Sequence, residues 1–306
     1  MVKTRTLPGT ELPTSEIVMG CMRIAELSLK DTSRLLRTAM DNGINFFDHA
    51  DIYGAGKSES VFSGALDLKP SEREKIFIQT KCAIRNGFYD FSKEHILGSV
   101  DASLRRLKTD YVDTLLLHRP DTLMEPEEVA EAFTTLENTG KVRYFGVSNH
   151  HSAQIELLQQ ALDQKLIINQ LQFSITNTGM IDAGLNVNMN NKASLDRDGA
   201  ILEYCRLKNI CIQPWSPFLF GFFEGVYLDH PQFPELNAVL DRIAKEKGVS
   251  KEALVIAWIL RHPARMQPLV GTTNPERLKN ICKASGITLT RPEWYEIYRA
   301  AGNELP

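Results

Sequence analysis

The sequence predicts an α/β fold of one kind, a single (β/α)8 TIM barrel over residues 1–306 with an N-terminal β-hairpin and long loops on its C-terminal face. Three observations lead there. Short apolar runs rich in β-branched and aromatic residues alternate with longer helical patterns along nearly the whole chain, which is the rhythm of parallel βαβ units. Eight such runs occur, each with a helical pattern after it, and an open doubly wound sheet normally has fewer strands. No Pro-, Gly- or Ser-rich linker divides the chain, and 306 residues accommodate one barrel with insertions as well as two smaller domains.

In chain order, the run Ile17–Gly20 precedes a helical pattern at 31–42, Asn45–Asp48 precedes 58–67, and Ile76–Thr80 precedes 93–107. Thr114–His118 leads into 126–139, Tyr144–Ser148 into 151–163, and Ile168–Gln170 into 195–208. Ile210–Pro214 leads into 235–261, broken near Gly248, and Gln267–Val270 into 275–285, with a tail helix near 292–301. The longest irregular stretches, 173–194 and 216–234, follow the sixth and seventh strands and so fall on the C-terminal rim, where barrel enzymes build their sites. Phe218, Phe220, Phe222, Phe223 and Tyr227 are wasteful on a merely solvated loop and argue that the second stretch shapes a pocket.

Composition narrows the function. With 43% hydrophobic and 24% charged residues the chain is an ordinary globular protein able to bury a large core. Thirty-five basic against 38 acidic side chains leave a net charge of −3, so bulk electrostatics offer nothing to nucleic acid or to an anionic membrane, and any anion must be bound locally. The five cysteines are widely spaced without a C-x-x-C pair, which writes neither a disulfide framework nor a zinc ribbon and suits a reducing compartment. Met1–Gly9 lacks an apolar signal core and no run reaches 18 apolar residues, so a soluble cytoplasmic monomer with no obligate protein partner is expected.

Four chemically matched residues sit at or just past successive strand ends: Asp48, Tyr53 five residues on, Lys81 and His118. A lysine at a buried strand end needs a carboxylate, and Asp48 on the neighbouring strand supplies one. The fixed ammonium should lower the phenol of Tyr53 from its usual value of roughly 10 and make it a responsive proton donor. His118 can hydrogen-bond a carbonyl oxygen and orient it. Each residue alone has a bland explanation, as a cap, a solvated strand end or a structural histidine. Four of them at successive strand ends fit one proton-delivering oxyanion site.

The segments Phe47–Gly54, Thr80-Lys81, Asp110–Pro120, Gly146–Asn149 and Gly271–Arg277 together resemble the aldo-keto reductase superfamily over about residues 15 to 285. Gln213-Pro214-Trp215-Ser216-Pro217 is similar to bacterial oxidoreductases of the YdhF type. The resemblance implies an NAD(P)H-dependent reductase acting on a small-molecule carbonyl substrate, with Asp48, Tyr53, Lys81 and His118 as its catalytic tetrad. It implies that Ser148, Asn149 and Gln170 hold the nicotinamide carboxamide and that Trp215 stacks on the ring. Ser216 and Phe218 fall near the pyrophosphate, and Gly271, Thr272, Thr273, Arg277 and Asn280 near the ribose phosphate. Pro275 reads as a first helical turn, where backbone N–H groups favour a phosphate. The forked cation of Arg277 suits a 2′-phosphate, so NADP(H) is preferred. Gly271 stands where many members of the family carry a lysine, which keeps NAD(H) open.

Other readings compete poorly. Gly54-Ala55-Gly56-Lys57-Ser58 is like the end of a P-loop, but Asp51 occupies the position that needs the first glycine. The two glycines serve better to fold the Tyr53 loop over the barrel mouth. No G-x-G-x-x-G follows a strand. His49 and the pair His150-His151 lack the alternating pair on one strand that a metal site of several strand-end ligands typically has, since adjacent His150 and His151 point differently, and Asn149 and Ser152 read as caps of the fifth helix. A cofactor-binding accessory subunit of the same fold, with little turnover, is the remaining alternative.

Overall fold

A computed structural model describes residues 1–306. It begins with an antiparallel hairpin, β1 (Thr4–Thr6) and β2 (Pro13–Ser15), that plugs the N-terminal end of a barrel. The barrel follows as β3 (Val18–Gly20), α1 (Leu29–Asp41), β4 (Phe46–Asp48), α2 (Lys57–Leu66), a one-turn α3 (Pro70–Arg73), β5 (Phe77–Cys82) and α4 (Lys93–Leu107). Next come β6 (Val112–Leu117), α5 (Pro126–Asn138), β7 (Val142–Ser148), α6 (Ser152–Ala161) and β8 (Leu166–Gln172). A rim helix α7 (Gly179–Leu185) precedes α8 (Ile201–Lys208) and β9 (Cys211–Trp215), after which a small hairpin, β10 (Leu219–Phe220) and β11 (Gly225–Val226), rises from the rim. The chain closes with α9 (Pro234–Lys247), α10 (Lys251–Leu260), β12 (Leu269–Val270), α11 (Pro275–Cys282) and α12 (Arg291–Ala300).

The eight barrel strands are all parallel in the order β12-β3-β4-β5-β6-β7-β8-β9, the eight runs expected from the sequence. The backbone N–H of Gln267 donates to the Ile212 carbonyl at 2.9 Å and brings the first and last members of that order together. Strand parity then sorts the side chains. Phe46, Phe77, Ile168, Cys211 and Leu269 meet Leu7 of the plug inside the barrel, whereas Phe47 packs outward on Phe62 of α2 at 5.4 Å between ring centroids. The larger core lies between barrel and helices and includes Leu35, Phe133, Phe145, Leu240 and Trp258. Trp258 and Trp294 stack at 4.7 Å and 6°, each indole N–H donating to the other's carbonyl. All five cysteines are buried free thiols, and no helix is long and apolar enough to cross a membrane.

Element ends shift by a few residues from the sequence expectation, and two helix starts differ for a local reason. The pattern at 195–208 becomes helical only at Ile201, because the Asp196 carboxylate takes the backbone N–H groups of Asp198, Gly199 and Ala200 into a turn of its own. The cap of α6 is His151, whose Nδ1 accepts from Ala153 N–H and whose own N–H donates to Gln154, so neither Asn149 nor Ser152 fills that role. The break near Gly248 is present as a left-handed residue, φ +64°, between α9 and α10.

Four histidines are held neutral by burial: His49 is lowered to about 3, His150 and His262 to about 4, and His118 well below its usual value. In the unfolded chain they titrate near 6.5, so between the two values the unfolded state binds more protons and stability rises with pH. Asp51, pushed up to about 6, works in the opposite direction over the same range, but it is one group against four. The melting temperature should therefore fall as pH is lowered from about 7 to about 5. A scanning-calorimetry series with a flat or rising melting temperature over that interval would contradict the assignment.

Candidate active site

Parity puts the ends of β4 and β5 in register, Asp48 beside Gln79, with Lys81 two residues further along the inward face. Lys81 Nζ donates to Asp48 Oδ2 at 2.7 Å, to the His49 carbonyl at 2.8 Å and to Tyr53 Oη at 3.1 Å. Both members of the ion pair are out of solvent, with side-chain exposures of 0% for Lys81 and 2% for Asp48. Such a pair survives because all three ammonium hydrogens and both carboxylate oxygens find partners. The three ammonium hydrogens have three acceptors, and Asp48 Oδ1 accepts from Gln79 Nε2 at 2.6 Å and Gln170 Nε2 at 3.0 Å.

Tyr53 reaches the ammonium from the loop after β4. Gly54 and Gly56 make that loop possible, with φ of +58° and +87°. A Cβ at Gly54 would come within 2.8 Å of the Ala25 methyl, and one at Gly56 within 2.7 Å of Arg106 Nε. The Tyr53 ring meets His118, just past β6, edge to face at 5.9 Å. The four residues expected to converge do so at the C-terminal mouth.

The electrostatics correct one expectation. Tyr53 is not lowered. Burial pushes its phenol above the usual value, and the nearby Lys81 ammonium only offsets part of that effect while Asp48 adds to it. The phenol is therefore a retained proton rather than a labile one. For Lys81 burial favours the neutral amine, yet Asp48 and the Tyr53 hydroxyl outweigh it and the ammonium is held above its usual value. His118 is a neutral imidazole, driven down by burial and by the Lys81 and Arg119 cations. Its Nδ1 is buried without a partner, leaving Nε2 for whatever enters the cleft.

The mouth opens into a cleft of about 580 Å³ lined by Asp48, Tyr53 and His118 together with Ser148, Asn149, Gln170, Trp215, Ser216, Phe218, Gly271, Thr272, Thr273 and Arg277. Of the catalytic and cofactor residues singled out in the sequence, two do not line it: Lys81 is fully buried against Asp48 and Tyr53, and Asn280 Oδ1 accepts from Lys283 instead, at 2.9 Å. Ser148 Oγ donates to the Gln170 carbonyl at 3.0 Å, and Asn149 Nδ2 donates to Ser148 Oγ at 2.8 Å. Trp215 Nε1 donates to Asn149 Oδ1 at 3.0 Å, which fixes the indole plane. Gln170 Oε1 has no partner within the protein and remains an open acceptor at the cleft.

At the far end of the cleft Asn274 caps α11 and accepts from the N–H groups of Glu276 and Arg277 at 2.9 and 3.2 Å. The free N–H groups anticipated there are thus partly engaged. Arg277 pairs with Glu252 of α10 at 3.1 Å, a partner 25 residues away that sequence spacing does not reveal. Sequence reading missed Met22, Arg23, Ile52, Ile84 and Arg119 on the cleft wall, and of the five aromatics expected from 216–234 to shape the pocket only Phe218 and Phe223 line it. Arg23 and Arg119 follow directly on strand ends or their first turn, a position that would have flagged them.

Known proteins resemble the chain over nearly its whole length. The aldo/keto reductase family profile matches residues 16–301. The chain is 37% identical to a 6-dehydroglucose reductase of Agrobacterium fabrum, over 96% of this chain and 97% of that protein. It is 34% identical to the oxidoreductase YdhF of Escherichia coli over the full length of both. Among solved structures, an aldo-keto reductase from Klebsiella pneumoniae in complex with NADPH superposes with a TM-score of 0.79 at 22% identity, covering 99% of this chain and 97% of that one.

Removing one member of the buried pair should cost far more stability than removing the phenol. Lys81→Met strands the Asp48 carboxylate and should lower unfolding free energy by about 3–5 kcal/mol, whereas Tyr53→Phe loses one hydrogen bond, about 1 kcal/mol. Urea denaturation of both variants measures the difference, and equal midpoints would mean that the pair is not buried as described.

Proposed function

Because the chain belongs to the aldo/keto reductase family, we propose that it is an NADPH-dependent reductase that converts an aldehyde or ketone of a small molecule to the alcohol. The observation that carries the reading is the Tyr53 hydroxyl held 3.1 Å from an ammonium that is itself locked on Asp48 at 2.7 Å. The donor set fits the cofactor. Trp215 offers an immobilised indole face for a flat ring, Gln170 Oε1 an unpaired acceptor for a carboxamide N–H, and Arg277 with Thr272 and Thr273 a cation and hydroxyls for a phosphate. The chemistry the cofactor supplies when bound is hydride donation to the carbonyl carbon.

The protein's own residues do the rest. The neutral His118 aligns the carbonyl oxygen through a ring N–H without competing for the proton. Tyr53 gives its hydroxyl proton to that oxygen as the alkoxide develops. A phenol pushed upward by burial would surrender its proton reluctantly, so the Lys81 ammonium beside it has the task of stabilising the phenolate left behind. Asp48 keeps Lys81 charged and in place. The name of the Agrobacterium relative makes 6-dehydroglucose the first carbonyl compound to assay, with simple aldehydes as the comparison.

Tyr53→Phe should retain NADPH binding and lose about 10²–10⁴-fold in carbonyl reduction, followed as NADPH consumption. Near-normal turnover by a folded, NADPH-binding variant would remove Tyr53 as the acid. Arg277→Ala should weaken NADPH about tenfold, the lower end for a charge-assisted contact because the guanidinium must also leave Glu252, and should leave NADH nearly unchanged. Equal losses for the two cofactors, measured by titration, would assign Arg277 a structural role.

A further inference from the structure

Asp48 is held from the barrel interior as well as by Lys81. The nitrogens that meet its Oδ1, Gln79 Nε2 and Gln170 Nε2, each have a second hydrogen, and both direct it to Gln213 Oε1, at 2.9 and 3.2 Å. Gln213 Nε2 donates onward to Gln267 Oε1 at 2.9 Å. Gln267 Nε2 ends the series on the N-terminal plug, donating to the Ser15 carbonyl at 2.6 Å and to Thr14 Oγ1 at 3.2 Å. The four glutamines come from β5, β8, β9 and the residue two before β12, and none is more than 2% exposed.

The order of donors and acceptors is dictated by its two ends. A backbone carbonyl only accepts, so Gln267 turns its NH2 to Ser15 and its oxygen to Gln213. Gln213 must then give its NH2 to Gln267 and its oxygen to Gln79 and Gln170, whose NH2 groups converge on a carboxylate that likewise only accepts. Rotating any one amide sets oxygen against oxygen or NH2 against NH2 in a dry interior, where the mismatch is expensive. We propose that these glutamines are a directional amide relay in which Gln213 is the positioning residue: through Gln79 and Gln170 it fixes the orientation of Asp48, and hence of Lys81 and Tyr53, relative to the N-terminal hairpin. The proposal rests on the carbonyl-reductase reading for its kinetic consequences and on the geometry alone for its structural ones.

Two variants test it. Gln213→Met fills the same space without donor or acceptor and should lower kcat, measured at saturating NADPH, by about tenfold to a hundredfold, the scale expected for a misplaced catalytic group. Gln213→Glu copies the amide only when protonated, with a carbonyl facing Gln79 and Gln170 and an O–H facing Gln267, so its kcat relative to wild type should rise as pH is lowered while that of Gln213→Met does not. Unchanged turnover in Gln213→Met at saturating NADPH, or a Gln213→Glu ratio independent of pH, would overturn the relay. In ¹⁵N-glutamine-labelled protein the side-chain amide signals of Gln79 and Gln170 should be slow to exchange, and Gln213→Met should abolish that protection. If the wild type reduces no carbonyl compound, the reductase reading falls and the labelled spectra decide the relay: protection lost in Gln213→Met upholds it, and protection retained overturns it.

Discussion

The ion pair between Lys81 and Asp48 sets the terms for the barrel mouth. Taking a cation and an anion to 0% and 2% exposure costs several kcal/mol per charge, and mutual attraction offsets this only when no hydrogen or lone pair is left idle. The acceptors and donors that meet this demand come from His49, Tyr53, Gln79 and Gln170, that is from β4 and its following loop, from β5 and from β8. No local segment holds them all. The charge pair therefore depends on a completed ring of strands, and the catalytic geometry depends on the charge pair.

Much of this was legible in the sequence, for identifiable reasons. Apolar runs in a regular rhythm mark the eight strands, and polar residues at the ends of such runs are conspicuous, which is why Asp48, Lys81 and His118 stand out. The sign of the Tyr53 shift was not legible. A neighbouring ammonium can be inferred from residue order, but the degree of crowding around the phenol is a property of the assembled mouth, and it is the larger effect. The Arg277–Glu252 pair and the detour of Asn280 to Lys283 are of the same kind, set by how α10, α11 and the segment after it pack.

The glutamines were hidden by their ordinariness. Gln79, Gln213 and Gln267 look like polar interruptions in apolar strands, and Gln170 stands out in the sequence only as a residue for the cofactor carboxamide, not as part of an interior network. One pattern would have exposed them: Gln79 stands two residues from Lys81 and Gln213 two from Trp215, so each shares the inward face of its strand with a residue of the cleft. A polar side chain at such a position has to be answered by another from across the barrel. A second cavity of about 880 Å³, between the Tyr53 loop and α4, shows the complementary case. It shares Ile52 and Ile84 with the cleft and borders Asp51, but holds none of the four residues at the mouth.

The placement of the aromatic indoles gives the protein two separate optical reporters. Of its three tryptophans, Trp258 of α10 and Trp294 of α12 are a parallel, mutually hydrogen-bonded pair, where exciton coupling of the strong indole bands makes far-ultraviolet dichroism a signature of that helical layer staying intact. Trp215 stands alone in the cleft, stacked on Phe223 at 5.8 Å. Emission quenched or shifted by a ligand is thus attributable to Trp215, while loss of the dichroic couplet reports unfolding of the α10–α12 layer, and the two events are separable in unlabelled protein.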